Sequence, residues 1–292
     1  MIIGASLGGF RGLTLSEAMN IYLKLSEKFG LNAVEIRFEK EHGRPSSWHW
    51  EISNELRRFL KNFRDTGVHL PFVYINPVSP NPRIRDESLT QLRESMQKAA
   101  ELGAAYVVMH LRGISYNGFD GWVEVIEELV SLAERLPILL TLENADTLND
   151  LDLLVNVVSG VNSKWFKVTF DVGHAHIRKV APLSTYPIKD VLLRALDIFL
   201  PLYLTKKNMP YEAYGSIQKF VESSLDLIKV VHVHDYNGKH DHLPIGNGKI
   251  NFSFMKALKE RFEGPYIFEA DFLNHEKDFV RNYYAFKRLM EG

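Results

Sequence analysis

The sequence predicts an α/β fold, a single-domain (β/α)8 TIM barrel that spans residues 1–292. Short apolar runs rich in β-branched residues recur along the chain, and each is followed by a longer amphipathic stretch. Strict alternation implies parallel strands with right-handed crossovers, and eight such units indicate a closed barrel. An open doubly wound sheet is less favoured, because "GASLGGFRG" only loosely approximates the phosphate-binding pattern G-x-G-x-x-G.

The predicted elements follow one another in order. The eight strands are predicted at 2–6, 33–38, 67–72, 105–110, 138–143, 167–172, 230–235 and 266–271. Between them, "LSEAMNIYLKLSEKFG" has apolar positions at helical spacing and a final glycine suited to a C-cap, and "DESLTQLRESMQKAAELG" repeats this design. The connection from Asp171 to His232 is about twice the usual length, so we expect a helical insertion at about 178–227 after the sixth strand.

Composition excludes several classes of function. Lys and Arg total 35 against 36 Asp and Glu, so no overall basic excess indicates nucleic acid or an anionic membrane as a partner. Cysteine is absent, which excludes disulfides, thiolate metal ligands and a cysteine nucleophile. No signal peptide or membrane-spanning run is evident, and we therefore expect a cytoplasmic protein without a membrane partner. Whether it forms an oligomer is left open.

Residues of metal-ligand type lie at the ends of six successive predicted strands. They are His69, His110, Glu143, Asp171, His232 and Glu269. In a barrel these carboxyl ends converge on one mouth, where barrel enzymes place their chemistry. Any one of these residues alone is more often an ion-pair or hydrogen-bond partner. Six together predict a site for a divalent cation with nitrogen and oxygen ligands, which suits Zn²⁺, Mn²⁺, Co²⁺ or Fe²⁺ better than Ca²⁺.

Two motifs extend this set. In "FDVGHAH", Asp171 and His174 leave the strand close together, and the glycine between them permits a tight turn. In "VHVHD", His232 and His234 point to the same face, because side chains along a strand alternate with period two. The following "NGKHDH" is a turn-rich loop whose His240, Asp241 and His242 could face the mouth, although a solvated loop explains His240 equally well.

At these residues the sequence resembles the xylose isomerase-like TIM-barrel superfamily of sugar isomerases, epimerases and endonuclease IV. The resemblance rests on "HLPF", "ELGAAYVVMH", "LTLENA", "FDVGHAH", "VHVHDYNGKHDHLPIGNGKINF" and "YIFEAD", in that order. It implies a metal held by Glu143, Asp171, His232 and Glu269. Endonuclease IV has further ligands, whose counterparts would be His69, His110, His174 and His242, with His240 where that enzyme has Asp. The resemblance thus implies one to three ions, with Zn or Mn favoured.

The nuclease signatures are incomplete in this chain. "HLPFVYIN" has an extra residue before its Asn, "DVGH" replaces D-T-C-H, and "HVHD" replaces H-x-N-D. The sequence is therefore more similar to the isomerase and epimerase branch, whose common loop form is close to "DYNGKHDHLPIGNG".

The leading hypothesis is a divalent-metal-dependent isomerase or epimerase of a small sugar or polyol-like substrate. Glu143 and Glu269 would transfer the proton while the metal stabilises the negative oxygen, and His174 would orient the substrate. Further substrate contacts are expected from His234, Arg112 and Trp48.

Two alternatives stay open. One is an endonuclease IV-like zinc phosphodiesterase acting on abasic DNA. Of the three hypotheses, this is the only one that includes a nucleic-acid partner. The other is a non-catalytic metal-bound barrel that binds a ligand.

Overall fold

Eight parallel strands close into a barrel in sequence order, which confirms the predicted fold. The structure is a computed structural model that describes residues 1–111, 120–145, 151–180 and 217–291. The strands are β1 Ile2–Ser6, β2 Ala33–Arg37, β3 Asp65–His69, β4 Tyr106–Met109, β5 Leu139–Glu143, β6 Phe166–Asp171, β7 Ile228–Val233 and β8 Pro265–Phe268. The α-helices in these ranges are α1 Leu15–Phe29, α2 Asn54–Leu60, α3 Pro82–Glu101, α4 Asp120–Arg135, α5 Leu151–Val161, α6 Val172–Val180, α7 Ile217–Ser224, α8 Met255–Arg261 and α9 Glu276–Glu291.

The strands differ from the prediction mainly at their ends. The third strand was predicted at 67–72, but β3 spans Asp65–His69 and stops before Pro71. Proline has no N–H to donate to a neighbouring strand, so the ladder cannot continue through it. The predicted seventh and eighth strands likewise extend beyond the observed ends of β7 and β8.

Helix α1 begins and ends at capping residues that satisfy its terminal backbone groups. The Thr14 hydroxyl accepts a hydrogen bond from the backbone N–H of Glu17, and the Glu17 carboxylate accepts one from the backbone N–H of Thr14. This capping box satisfies N–H groups that have no partner within the helix. At the other end Gly30 adopts φ 65°, so the predicted glycine C-cap is confirmed.

The barrel interior is closed by a small apolar cluster. Its members are Ile2, Ala33, Tyr106, Val108, Val230 and Ile267. The Tyr106 ring is fully buried, and its hydroxyl donates a 3.2 Å hydrogen bond to Glu35 Oε2. A much larger apolar core packs the strands against the surrounding helices. Tyr106 therefore forms a floor, above which the interior becomes polar toward the strands' carboxyl ends.

Part of the sequence prediction lies outside the described residues. Of the predicted insertion at 178–227, residues 181–216 are not described, and α6 and α7 flank that gap. Arg112 also falls outside the described ranges. In the part of the chain that is described, the helices are all too short or too polar to cross a membrane.

The position of the Tyr106 ring in the barrel floor depends on the absence of a side chain at Gly67, and this packing can be tested by substitution. A Cβ on Gly67 would overlap the Tyr106 ring, so we expect Gly67→Ala to lower the free energy of unfolding by about 1–3 kcal/mol through overpacking. As a control, a Cβ on Gly160 in α5 meets nothing within 4 Å. Gly160→Ala should stabilise by up to about 1 kcal/mol, since alanine favours helix. Urea unfolding measures both, and an unchanged midpoint for Gly67→Ala would contradict the proposed packing.

Candidate metal centre

The six predicted strand-end residues all lie at the carboxyl end of the barrel. His69, Glu143 and Asp171 are the last residues of their strands. His110 and Glu269 directly follow β4 and β8, and His232 is the penultimate residue of β7. Parallel strands of a closed barrel end on one rim, which brings residues from distant parts of the chain together.

The central group consists of Glu143, Asp171, His232 and Glu269. All four are buried, and they offer ligand atoms within 4.8 Å of one another. His232 Nδ1 lies 2.8 Å from Glu269 Oε2 and 3.4 Å from Glu143 Oε2. The same nitrogen lies 3.9 Å from Asp171 Oδ2. Asp171 and His232 are register partners in the β6–β7 ladder, so their side chains stand next to each other.

A second group joins His69 and His110 to the same Glu143. His110 Nε2 lies 3.0 Å from Glu143 Oε2 and 3.1 Å from His69 Nε2. The Phe72 ring covers both imidazoles, with centroid distances of 5.0 Å to His69 and 4.4 Å to His110. Glu143 therefore belongs to two ligand groups and lies between them.

A third group lies on the other side of the central one and comprises His174, His234, Asp241 and His242. Asp241 is its centre: Oδ1 lies 3.2 Å from His234 Nδ1, and Oδ2 lies 3.4 Å from His174 Nε2. His174 Nδ1 lies 3.1 Å from Glu143 Oε1, which connects this group to the central one. The three groups thus form one continuous patch of nitrogen and oxygen ligands.

The orientation of the central atoms fits a shared cation. Among the described residues, Glu143 Oε1, His232 Nδ1 and Glu269 Oε2 are buried and make no hydrogen bond of good geometry. Buried polar atoms in proteins are almost always hydrogen-bonded, so such a cluster needs another partner. The donor set of imidazole nitrogens and carboxylate oxygens, without sulfur, suits a divalent transition-metal cation. The residues present therefore fit a divalent cation in the central group.

Electrostatic coupling in the central group is strong. Burial opposes ionisation of Glu143, but the positive charges of His110 and His232 outweigh it and hold the pKa of Glu143 well below its usual value. Burial also disfavours the charged form of His232, yet the carboxylates of Glu35 and Glu269 raise the pKa of His232 well above its usual value. Protons and a cation compete for these ligand atoms, so metal affinity should increase as pH rises.

The third group contains two histidines whose pKa values shift in opposite directions. Burial alone would lower the pKa of His234, but Asp171 and Asp241 raise it to about 10. For His242, burial and the positive charge of His234 act together and lower the pKa to about 4. His242 is thus neutral near pH 7 and presents a free lone pair, as a metal ligand must.

Glu35 is a neighbour of the central group that the sequence analysis missed. Its Oε2 lies 3.1 Å from His232 Nε2, on the side of the ring opposite the central group. A carboxylate behind a metal-ligating histidine orients the ring and increases its basicity. The signal was present in "AVEIRF": Ala33, Glu35 and Arg37 alternate along β2 and therefore share its inward face.

Arg37 was also missed, and it is a buried cation of this rim. Its Nη2 lies 3.3 Å from Glu269 Oε1, and its Nη1 lies 2.7 Å from Glu41 Oε2. The guanidinium carbon lies 5.6 Å from the centroid of the Phe72 ring. Arg37 therefore holds the Glu269 carboxylate through Oε1, whereas His232 lies next to the other oxygen, Oε2.

Of the three loop residues that could face the mouth, the structure brings in Asp241 and His242 but not His240, a residue that the family resemblance implied as a ligand. His240 is exposed and joins none of the three groups, whereas Asp241 is central to one of them. His242 adopts φ 52° and places its Nδ1 at 2.9 Å from the backbone oxygen of Glu269. This local turn directs Asp241 and His242 inward and leaves His240 in solvent.

A buried carboxylate outside the ligand set organises the same loop. Asp235 is 2% exposed and is the second residue after the end of β7. Four backbone N–H groups of the loop donate to it at 2.8–3.1 Å, those of Tyr236, Gly246, Gly248 and Ile250. Such charge-assisted hydrogen bonds hold the loop that carries Asp241 and His242 in one conformation.

Gly173 is required for a reason other than the predicted turn. Helix α6 begins at Val172, immediately after Asp171, and the backbone N–H of His174 donates a 2.6 Å hydrogen bond to Asp171 Oδ1. A Cβ on Gly173 would overlap the His234 ring. The absent side chain therefore provides space for the third group.

The two other predicted substrate-binding residues that the structure describes, His234 and Trp48, lie apart from each other. His234 is fully buried between Asp171 and Asp241, so it belongs to the third ligand group. Trp48 is half-buried in the loop between β2 and α2 and stacks on Trp50.

Comparison with known proteins assigns this arrangement to a family. The family model described as "Xylose isomerase-like TIM barrel" matches residues 23–281. The chain belongs to that family. Its predicted resemblance is thereby confirmed over most of the sequence.

Individual relatives differ in what their names say. An uncharacterized protein of Methanocaldococcus jannaschii is 29% identical over 268 residues, covering 84% of this chain and 76% of its own length. A protein of Natranaerobius thermophilus named "Probable endonuclease 4" is 25% identical over 269 residues, covering 84% of each chain. The solved structure of a D-allulose 3-epimerase from Methylomonas sp. in complex with D-allulose covers 100% of this chain and 96% of its own, with a TM-score of 0.69 and 16% identity. At that identity it supports the fold alone.

The contact between Glu35 and His232 leads to a second prediction. Glu35→Gln removes the charge behind the imidazole while nearly preserving shape, so we expect about 10–100-fold weaker metal binding. Titration of Zn²⁺ against a chelating fluorescent indicator measures this. Glu27→Gln, on the exposed side of α1, is the matched control and should bind zinc like the unmodified protein. Equal affinity of all three proteins would exclude the supporting role of Glu35.

Proposed function

We propose that the protein is a divalent-metal-dependent isomerase or epimerase of a small sugar or polyol-like substrate. The observation that carries this proposal is the placement of two buried glutamates, from β5 and β8, at 3.4 Å and 2.8 Å from one His232 nitrogen. Two carboxylates that face one site from different strands can remove a proton from a carbon and return it.

Glu143, Asp171, His232 and Glu269 would hold the cation. When bound, a divalent cation acts as a Lewis acid that stabilises negative charge on a carbonyl or hydroxyl oxygen. The chain's own residues supply the proton transfer.

Glu269 is the better-defined proton acceptor. Burial would raise the pKa of Glu269, but His232 and Arg37 lower it well below its usual value, so the carboxylate is ionised at neutral pH. Arg37 also fixes its position through the 3.3 Å ion pair. Glu143 would act from the opposite side of the substrate carbon. His174, which is only half-buried, would orient a substrate oxygen.

The family assignment and the fold shared with a D-allulose 3-epimerase support this proposal. A second candidate, a zinc phosphodiesterase acting on abasic DNA, is favoured by one specific observation. The second and third ligand groups could hold two additional cations, and clustered cations suit phosphodiester cleavage. The relative named "Probable endonuclease 4" supports the same alternative.

Deuterium exchange separates the two candidates. Metal-loaded protein is incubated with a panel of ketoses and aldoses in deuterated water, and NMR follows exchange at the carbon next to the carbonyl. The proposal predicts exchange with at least one sugar, and Glu269→Gln should slow it about 100-fold or more. Glu263→Gln, exposed at the opposite end of β8, is the control and should exchange normally. Metal content is measured on every variant to separate lost binding from lost proton transfer.

The same preparations are tested on a duplex oligonucleotide with one abasic site. Cleavage of this DNA, together with no exchange in any sugar, would overturn the proposal in favour of the phosphodiesterase.

A further inference from the structure

Three aromatic side chains form an exposed group on the loops after β2 and β3. Trp48 and Trp50 stack with ring centroids 4.9 Å apart and an interplanar angle of 9°. Tyr74, from the loop after β3, has its ring centroid 6.5 Å from that of Trp48. Trp50 is 57% exposed and Tyr74 is 70% exposed. We call Trp48, Trp50 and Tyr74 the rim platform, since both loops leave the barrel at the end that carries the ligand groups.

A buried histidine anchors the tryptophan side of the rim platform. His49, between the two tryptophans, is only 4% exposed. Its Nδ1 lies 3.0 Å from Ser95 Oγ and its Nε2 lies 3.1 Å from Glu94 Oε2, both on α3. An imidazole held at both nitrogens fixes the short 3-10 helix His49–Glu51 against α3. The exposed rings are therefore attached to a rigid base.

A buried carboxylate anchors the tyrosine side. Glu39 is 3% exposed and accepts hydrogen bonds from three consecutive backbone N–H groups. They are those of Phe72 at 3.2 Å, Val73 at 2.7 Å and Tyr74 at 3.1 Å. Because hydrogen bonds to a charged acceptor are stronger than neutral ones, this loop is held in place without help from the exposed Tyr74 ring. Preorganised aromatic surface of this kind lowers the entropic cost of binding.

The rim platform is continuous with the metal centre. Phe72, which covers His69 and His110, is separated from Tyr74 by a single residue. Two residues of extended chain span at most about 7 Å, so the backbone of Tyr74 lies within about 7 Å of the backbone of Phe72. A ligand that extends from the ligand groups past Phe72 would therefore be directed toward the rim platform.

We propose that the rim platform binds a second saccharide ring, so that the substrate is a glycosyl ketose or related glycoside rather than a free monosaccharide. This inference rests on the proposed function. Flat aromatic faces pack against the apolar C–H face of a sugar ring and leave its hydroxyl groups in water. Lys40 and Glu51, beside the rim platform, pair with each other, so this charged pair favours a neutral ring over a phosphate backbone.

The test compares ligands with and without the second ring. Calorimetry on metal-loaded protein measures the Kd of fructose and of the glucosyl-fructose ketoses isomaltulose, maltulose and turanose. At least one disaccharide should bind about tenfold more tightly than fructose. Saturation-transfer NMR should show the strongest transfer to the glucosyl protons. Trp50→Ala should abolish this advantage and leave the Kd of fructose unchanged. Tyr284→Ala, which removes a 51% exposed aromatic ring from α9, is the matched control and should change neither value.

Several outcomes would overturn the inference. They are equal affinity for fructose and all three disaccharides, an advantage that persists in Trp50→Ala, or no binding of any of these sugars. Binding of an abasic oligonucleotide that Trp50→Ala abolishes, without any disaccharide preference, would assign the rim platform to nucleic acid instead. Since binding and proton exchange are measured in separate experiments, disaccharide binding through Trp50 with no proton exchange would refute the proposed function alone. Exchange with fructose and no disaccharide preference would refute this inference alone.

Discussion

The structure depends on how the buried charge of Glu143 is compensated. This carboxylate lies at the carboxyl end of β5, within 3.0–3.7 Å of four imidazole nitrogens. An uncompensated carboxylate in such a place costs several kcal/mol, so the surrounding histidines, or a cation held with them, are a condition for the fold as much as for any chemistry. Glu143 also contacts all three ligand groups. A change in the charge of one group therefore alters the electrostatic environment of the others.

Other buried carboxylates act at a distance from the reacting position. Glu35 supports His232 from behind, and Asp235 holds the loop that carries Asp241. Glu39 holds the loop that carries Tyr74. Each accepts several hydrogen bonds or a histidine contact. The site is thus built from side chains on rigid strands, with its loops fixed by charge rather than by packing alone.

The sequence was sufficient to predict the barrel and the strand-end residues, because short apolar runs and the polar residues that end them are local signals. It was not sufficient for Glu35 and Arg37, whose importance depends on which face of β2 points inward. Nor could it choose between His240 and Asp241, since a single left-handed residue at His242 determines which side chain turns toward the site. Gly173 was noticed for its backbone, whereas its role is to make space for His234, a contact between residues far apart in sequence.

The central claim is that four side chains from the last four strands share one divalent cation. Anomalous diffraction from crystals soaked in Zn²⁺ tests this most directly. We expect a strong peak with Glu143, Asp171, His232 and Glu269 as ligands at about 2.0–2.2 Å. Zinc bound elsewhere on the protein, with no peak among these four residues at saturating metal, would contradict it.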